Sequence, residues 1–166
     1  MEAIDMLKLR RSVRVYQDKP IPKDVIEKII DAARFAPTAR NEQPWAFVVT
    51  TKSEIIRRIA GLGPNANFAS GAKACIVVFA LDTKYYLEDG CSATVNILNA
   101  AAAFGVGSCW IAGDKKDYCE EVRNMFAVPA GYKLVSLISL GYPEDKNSFK
   151  LMEKRALDKV LHWENF

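Results

Sequence analysis

The stretch GCSATVNILNAAAAFGVGS, residues 90–108, carries no charged side chain, and it is mostly apolar and rich in alanine over residues 91–104. A segment with no charged stripe has no face to offer water, so it is predicted to be a helix buried on nearly all sides. Gly105 and Gly107 supply the left-handed or flexible backbone that ends it. Such a helix needs other elements around it, and the flanking sequence provides them. In PKDVIEKIIDAARFAP, Val25, Ile26, Ile29, Ile30 and Ala33 recur at helical spacing, Pro22 suits the first turn, and Pro37 lies just past the end.

AFVVTT, residues 46–51, reads as a buried strand, and Ser53 is placed to cap the short helix EIIRRIAGL. Gly61 and Gly63 open a loop leading to ACIVVFAL, residues 74–81, a β-branched run short enough for a core strand. CWIAG is a third strand. Residues 115–127 form an amphipathic helix with Val122, Met125 and Phe126 on one face, and YKLVSLISLGY alternates as a strand with one wetter side. About four strands therefore alternate with helices, without a repeat.

With 166 residues and 50% hydrophobic side chains, the chain is expected to form one domain over residues 1–166. A net charge of +3 gives little reason for a nucleic-acid or membrane partner, so any anion site must be local. Cys75, Cys91, Cys109 and Cys119 show no CxxC spacing, and one histidine, His162, is too few to complete a zinc site. No metal is expected. MEAIDMLKLRR interleaves charge with apolar residues, and no uncharged run approaches the roughly 18 residues of a membrane span. These features suit a reduced, cytoplasmic protein.

Three segments carry chemistry. In KLRRSVRVYQDKPIP, residues 8–22, Arg10, Arg11 and Arg14 surround Ser12; guanidiniums so close repel one another and suit a planar or phosphate-like oxyanion. In FAPTARNEQPWAF, residues 35–47, two prolines fix a loop that sets Thr38, Asn41 and Gln43 beside Trp45, an arrangement that offers amides and an apolar wall to a flat heterocycle. The same loop reads equally well as a helix C-terminal connection with a buried tryptophan. The tail, residues 143–166, carries Lys146, Lys150, Lys154 and Arg155 among Phe149, Leu151, Met152, Leu157, Val160, Leu161, Trp163 and Phe166. That is too much apolar surface for water and too little for a core of its own, so the tail must lie along its own subunit or a second one.

RRSVRVY, APTARNEQPW, AAAFGVGSCWIAG, SLGYPED and EKRALDKVLHWENF, in this order and over essentially the whole chain, resemble the FMN-dependent nitroreductase family, and its small, single-domain branch. The resemblance implies an α+β sandwich, a central mainly antiparallel sheet flanked by helices. It also implies an intertwined homodimer with FMN in each of two interface clefts and C-terminal arms, residues 143–166, reaching over the partner. The anion at the arginine cluster would then be the FMN phosphate, held by Arg10, Arg11 and Ser12 with Lys154 and Arg155 brought back by the tail. Arg14 would face the pyrimidine edge, where a reduced flavin gathers negative charge. Ile111, Ala112 and Gly113 match the backbone that meets flavin N5 and O4, and Pro37, Thr38, Ala39 and Asn41 would come from the partner. Asn67 matches the amide that reads the ring's polar edge.

The implied activity is a ping-pong transfer of hydride from NADH or NADPH through FMN to a nitroaromatic, quinone or related small acceptor. It requires no nucleophile or acid–base dyad, and His162 reads as a packing or surface residue of the tail. FMN is expected rather than FAD, since no GxGxxG turn is present for a pyrophosphate. Longer relatives have an acidic residue beside Gly113 and extra helices over the cleft; Ala112 stands here instead. Two other classes remain: a non-catalytic FMN-binding or regulatory protein, and an RNA binder using Tyr16 and Trp45 as stacking platforms.

Overall fold

Four strands, β1 (Trp45–Thr50), β2 (Ala74–Leu81), β3 (Gly107–Ala112) and β4 (Tyr132–Gly141), pair antiparallel in the order β1-β2-β4-β3 in the computed structural model. The structure describes residues 3–145 and 147–166, so Lys146 of the tail lies outside the described residues, as do Met1 and Glu2. Side chains of β2 alternate between two cores. Ile76, Val78 and Ala80 face α2 (Lys23–Ala33) and α4 (Tyr86–Ala103), packing with Ile26, Ile29, Ile97 and Ala101. Cys75, Val77 and Phe79 face α3 (Ser53–Ala60) and α5 (Cys119–Met125), packing with Ile56, Ile59 and Val122. A sheet covered on both faces needs apolar residues at successive positions, which is why ACIVVFAL reads as an unbroken run. The architecture is the expected α+β arrangement of an antiparallel sheet between helices. A further short helix, α1 (Ala3–Leu9), contacts α4.

Several local expectations are corrected. β4 has no wetter side: it lies between β2 and β3, and residues 134–141 are all buried. The serines that suggested a wet face are paired inside, Ser136 Oγ with Thr94 Oγ1 at 2.7 Å and Ser139 Oγ with the Tyr16 phenol at 2.8 Å. α4 begins at Tyr86, five residues before the expected start at residue 91, and takes in Glu88 and the buried Asp89. Gly105 does end that helix with φ +69°, whereas Gly107 opens β3 and is needed for a close approach, a Cβ there lying 2.8 Å from the Val13 side chain. Ser53 is the first helical residue of α3 rather than its cap, which is Lys52 and makes no side-chain cap bond. α5 is confined to Cys119–Met125 because Lys115 and Ala127, at φ 60° and 50°, leave the helical region on either side.

Beyond residue 150 every tail residue is exposed, with one short turn at Leu157–Lys159. Trp163 is 79% exposed and Leu157 70%, so the arm does not bury its apolar side chains on its own chain. Among the described residues no helix is long and apolar enough to cross a membrane.

Candidate functional site

The arginine segment is laid across the open end of the sheet by backbone bonds. Val13 N–H donates to Ser108 O at 2.9 Å, Gln17 N–H to Tyr142 O at 2.8 Å, and Gln17 Nε2 to Pro143 O at 2.7 Å. Ser12 pairs with Ser108 and Tyr16 with Pro143 as isolated bridges. These bonds hold Val13 and Tyr16 inward while Arg14 and Val15 stay exposed. Tyr16 is therefore committed to the interior and not to base stacking: its phenol donates to Val13 O at 2.6 Å, and burial raises its pKa above the ordinary tyrosine range. Trp45 is half-buried, its ring stacked near Phe47 at 6.4 Å.

Two clefts meet at Arg14. One, of about 560 Å³, is lined by Arg10, Arg11, Ser12 and Arg14 together with Ser148, Lys150 and Lys154 of the same chain's tail; Asp145 is its one carboxylate among the described residues. Arg11 turns Nη1 to Lys8 O at 2.9 Å and Arg10 O at 2.5 Å, but its Nε and Nη2 are buried without an acceptor among the described residues. That edge of the guanidinium is the fork that receives two oxygens of a carboxylate or phosphate, and leaving it unpaired is costly. Arg155 lies elsewhere, its Nη2 donating to Lys159 O at 2.7 Å. Beneath the cleft, burial raises the pKa of the Cys109 thiol, opposed by the nearby Arg14 charge and a Ser12 hydrogen bond.

The second cleft, of about 910 Å³, runs along the end of edge strand β3. It is lined by Trp110, Ile111 and Ala112 from β3, by Leu62–Ala66 and Phe68 from the loop before β2, and by Lys116, Asp117, Tyr118 and Glu121 from the turn into α5 and its first residues. The Arg14 guanidinium stands 5.4 Å above the Phe68 ring, a cation–π contact that holds it at the junction. Tyr118 OH donates to Ala112 O, and the Cys119 thiol to Gly113 O at 2.9 Å, so the turn after β3 is pinned by α5. Gly113 is buried against β4, where a Cβ would come within 2.7 Å of the Val135 carbonyl. Its place next to Ala112 thus has a packing cause that a glycine ending a strand in solvent would lack.

Other candidates fall differently. Asn67, with its amide nitrogen facing the carbonyls, donates to Ala60 O at 2.9 Å and Gly63 O at 3.2 Å and so closes its own loop; the amide lining the cleft is Asn65. Pro37, Thr38, Ala39 and Asn41 line neither cleft of their own chain. Their loop is unusual: Arg40, Asn41 and Gln43 all have positive φ, 53°, 57° and 50°, a conformation costing roughly 1 to 3 kcal/mol each for non-glycine residues. Asn65, Phe68, Lys116, Tyr118 and Glu121 were not singled out by sequence reasoning. Only the spacing of Tyr118 and Glu121, one helical turn apart, hinted at a shared face.

The family model described as the nitroreductase family matches residues 7–80 and 67–142, well over half of the chain. A protein of Archaeoglobus fulgidus, provisionally named an NADH dehydrogenase/NAD(P)H nitroreductase, is 35% identical, with 99% of each chain covered. A Bacteroides thetaiotaomicron structure under the same provisional name superposes with a TM-score of 0.92 at 29% identity, covering 99% of this chain and 98% of that one. The structure of an FMN-dependent nitroreductase from Clostridium difficile superposes with a TM-score of 0.89 at 28% identity, covering 98% and 99%. Fold, chain length and sequence therefore agree that this chain belongs to the nitroreductase family.

Proposed function

We propose that the protein is an FMN-dependent oxidoreductase that takes hydride from NADH or NADPH and delivers it to a nitroaromatic, quinone or related small acceptor, the two half-reactions sharing one site. The observation that carries this reading is the gathering of Arg10, Arg11, Arg14 and Lys154 around one cleft, beside which the Arg11 Nε and Nη2 are buried without an acceptor among the described residues. A dianionic phosphate is the ligand that such a donor set fits, and the residues present fit FMN in that respect. When bound, FMN would supply the hydride chemistry, so the chain itself needs neither a metal nor a nucleophile.

The chain's own residues bind and orient. Arg10, Arg11, Ser12 and Lys154 would hold the phosphate, and Arg14, kept in place by Phe68, would set a fixed positive charge beside the second cleft. Ile111 and Ala112 line the second cleft, where the small Ala112 side chain would leave room for a flat ligand. The Trp110, Phe68 and Tyr118 rings wall the same space with apolar surface and limit water. The protein would act as a cytoplasmic homodimer. Each loop carrying Pro37, Thr38, Ala39 and Asn41 would serve the partner's cleft, and each apolar tail would cover the partner.

The test is colour. Purified protein reconstituted with FMN should be yellow, release FMN rather than FAD on acid treatment, and bleach within seconds under anaerobic NADH or NADPH. A yellow protein that neither nucleotide bleaches would instead be a non-catalytic flavin binder, and a colourless one would end the flavin reading.

A further inference from the structure

We infer that Asp89 is a positioning residue for the loop from Thr38 to Gln43, acting through the Ala39 peptide; what the loop is positioned for rests on the FMN reading above. Asp89 stands in the first turns of α4 and is only 4% exposed. Its Oδ1 accepts the Ala39 N–H at 3.1 Å, and its Oδ2 has no donor among the described residues. A buried carboxyl with one unpaired oxygen carries a desolvation cost, and an apolar side chain there would leave unsatisfied only the Ala39 N–H, a group outside α4. What the carboxyl does is reach across 50 positions of sequence to the loop.

The loop's remaining hydrogen bonds are internal. Asn41 N–H donates to Thr38 O, Glu42 N–H to Ala39 O, Gln43 N–H to Thr38 Oγ1, and Gln43 Nε2 to Asn41 O. Among the described residues, the bond from Ala39 is thus the one that fixes residues 38–43 to the rest of the chain. It is made by the residue immediately before the left-handed pair Arg40 and Asn41. The direction of that peptide decides where both side chains go, and a sharply bent loop holds one geometry only when its surroundings impose it. Asp89 touches no ligand in this scheme; it sets the loop that does.

The experiment compares wild type, Asp89→Ala and Asp89→Asn by FMN titration and by the visible circular dichroism of the bound flavin. Asp89→Ala should weaken FMN binding about tenfold or more and alter the dichroism. Asp89→Asn keeps an acceptor oxygen toward Ala39 and should stay within roughly threefold of wild type with the native spectrum. Amide exchange in the wild-type protein reads the tether directly and does not depend on any variant folding. The Ala39 amide should exchange at least about tenfold more slowly than that of Arg40, which has no acceptor among the described residues. Wild-type FMN affinity in Asp89→Ala, equal impairment in Asp89→Asn, or an Ala39 amide as fast as Arg40 would each overturn the assignment. A wild-type protein that binds no FMN would defeat the flavin reading instead, and the tether would then stand or fall on the exchange of Ala39.

Discussion

The phenol oxygen of Tyr16 and the hydroxyl of Ser139 stand 2.8 Å apart although they are 123 positions apart in sequence. Ser139 lies on the central strand β4, with Cys75 of β2 and Cys109 of β3 in register on either side. Tyr16 closes the segment that carries Arg10, Arg11 and Arg14, so this contact sets the height of the arginines above the sheet end. Tyr16→Phe leaves Val13 O without its phenol donor and should cost about 1 to 3 kcal/mol. A lower urea midpoint and weaker FMN binding are expected together, and a variant unchanged in both would show that the backbone bonds alone suffice.

Arg11 and Lys154 approach one cleft from opposite ends of the chain. Replacing either with alanine removes a charge-assisted contact of about 1.5 to 3 kcal/mol, or roughly 10- to 100-fold in FMN affinity. Lys8→Ala, outside the cleft, should leave affinity unchanged. Arg155→Ala separates two arrangements: little effect is expected if Arg155 keeps its bond to Lys159 O, and a loss matching that of Lys154→Ala if the arm moves in the dimer.

The arm's exposed Leu151, Met152, Leu157, Val160, Leu161, Trp163 and Phe166 predict its role in assembly. Truncation after Tyr142 should give a colourless protein that is monomeric or aggregated by light scattering, because it removes both Lys154 and the apolar cover. A truncated yellow dimer would show that the arm is neither clasp nor phosphate ligand.

Alkaline pH should weaken the fold. Burial pushes the Cys75 thiol from 9.0 up to about 12, and the hydrogen bond to Asp114, followed by burial, pushes the Tyr86 phenol from 10.0 up to about 12. In the unfolded chain both groups lose their protons at the lower values, while the folded chain keeps them. The unfolded state therefore binds fewer protons above pH 9, and stability present below that pH is lost as pH rises toward 12. The urea midpoint of wild type should fall between about pH 9 and 10.5. Cys75→Ala, less stable at neutral pH, should show a shallower fall over that range; an equal slope would place the pH dependence elsewhere.

How legible each element was depended on the range of its determinants. ACIVVFAL coincides with β2 because both covering layers demand apolar residues at each position from Ala74 to Ala80, Leu81 alone being exposed. The helix around Ile26, Ile29 and Ala33 was readable from its stripe for the same reason. The wetter side assigned to β4 failed because polarity was read from residue type, while Ser136 and Ser139 spend their hydroxyls on Thr94 and Tyr16, partners distant in sequence. The start of α4 was missed because the helix was read from the uncharged residues 91–104, whereas its first turns hold Glu88 and the buried Asp89, whose carboxylate accepts from a residue 50 positions away.

The candidate site divides the same way. Arg10, Arg11 and Arg14 are neighbours in sequence, so their mutual repulsion and need for an anion follow from the chain alone. That Lys154 joins them, that Arg11 has a buried unpaired edge, and that Asn65 rather than Asn67 reaches the cleft depend on how loops from four regions meet at the sheet end. Periodicity and local charge determined the helices, the strands and the existence of a basic cluster, because each is set by residues within a turn or two. Strand order, the burial of β4 and the convergence of the two clefts at Arg14 were decided only by tertiary structure, since hydrogen bonds and packing across more than 100 residues leave no periodic trace in the sequence that makes them.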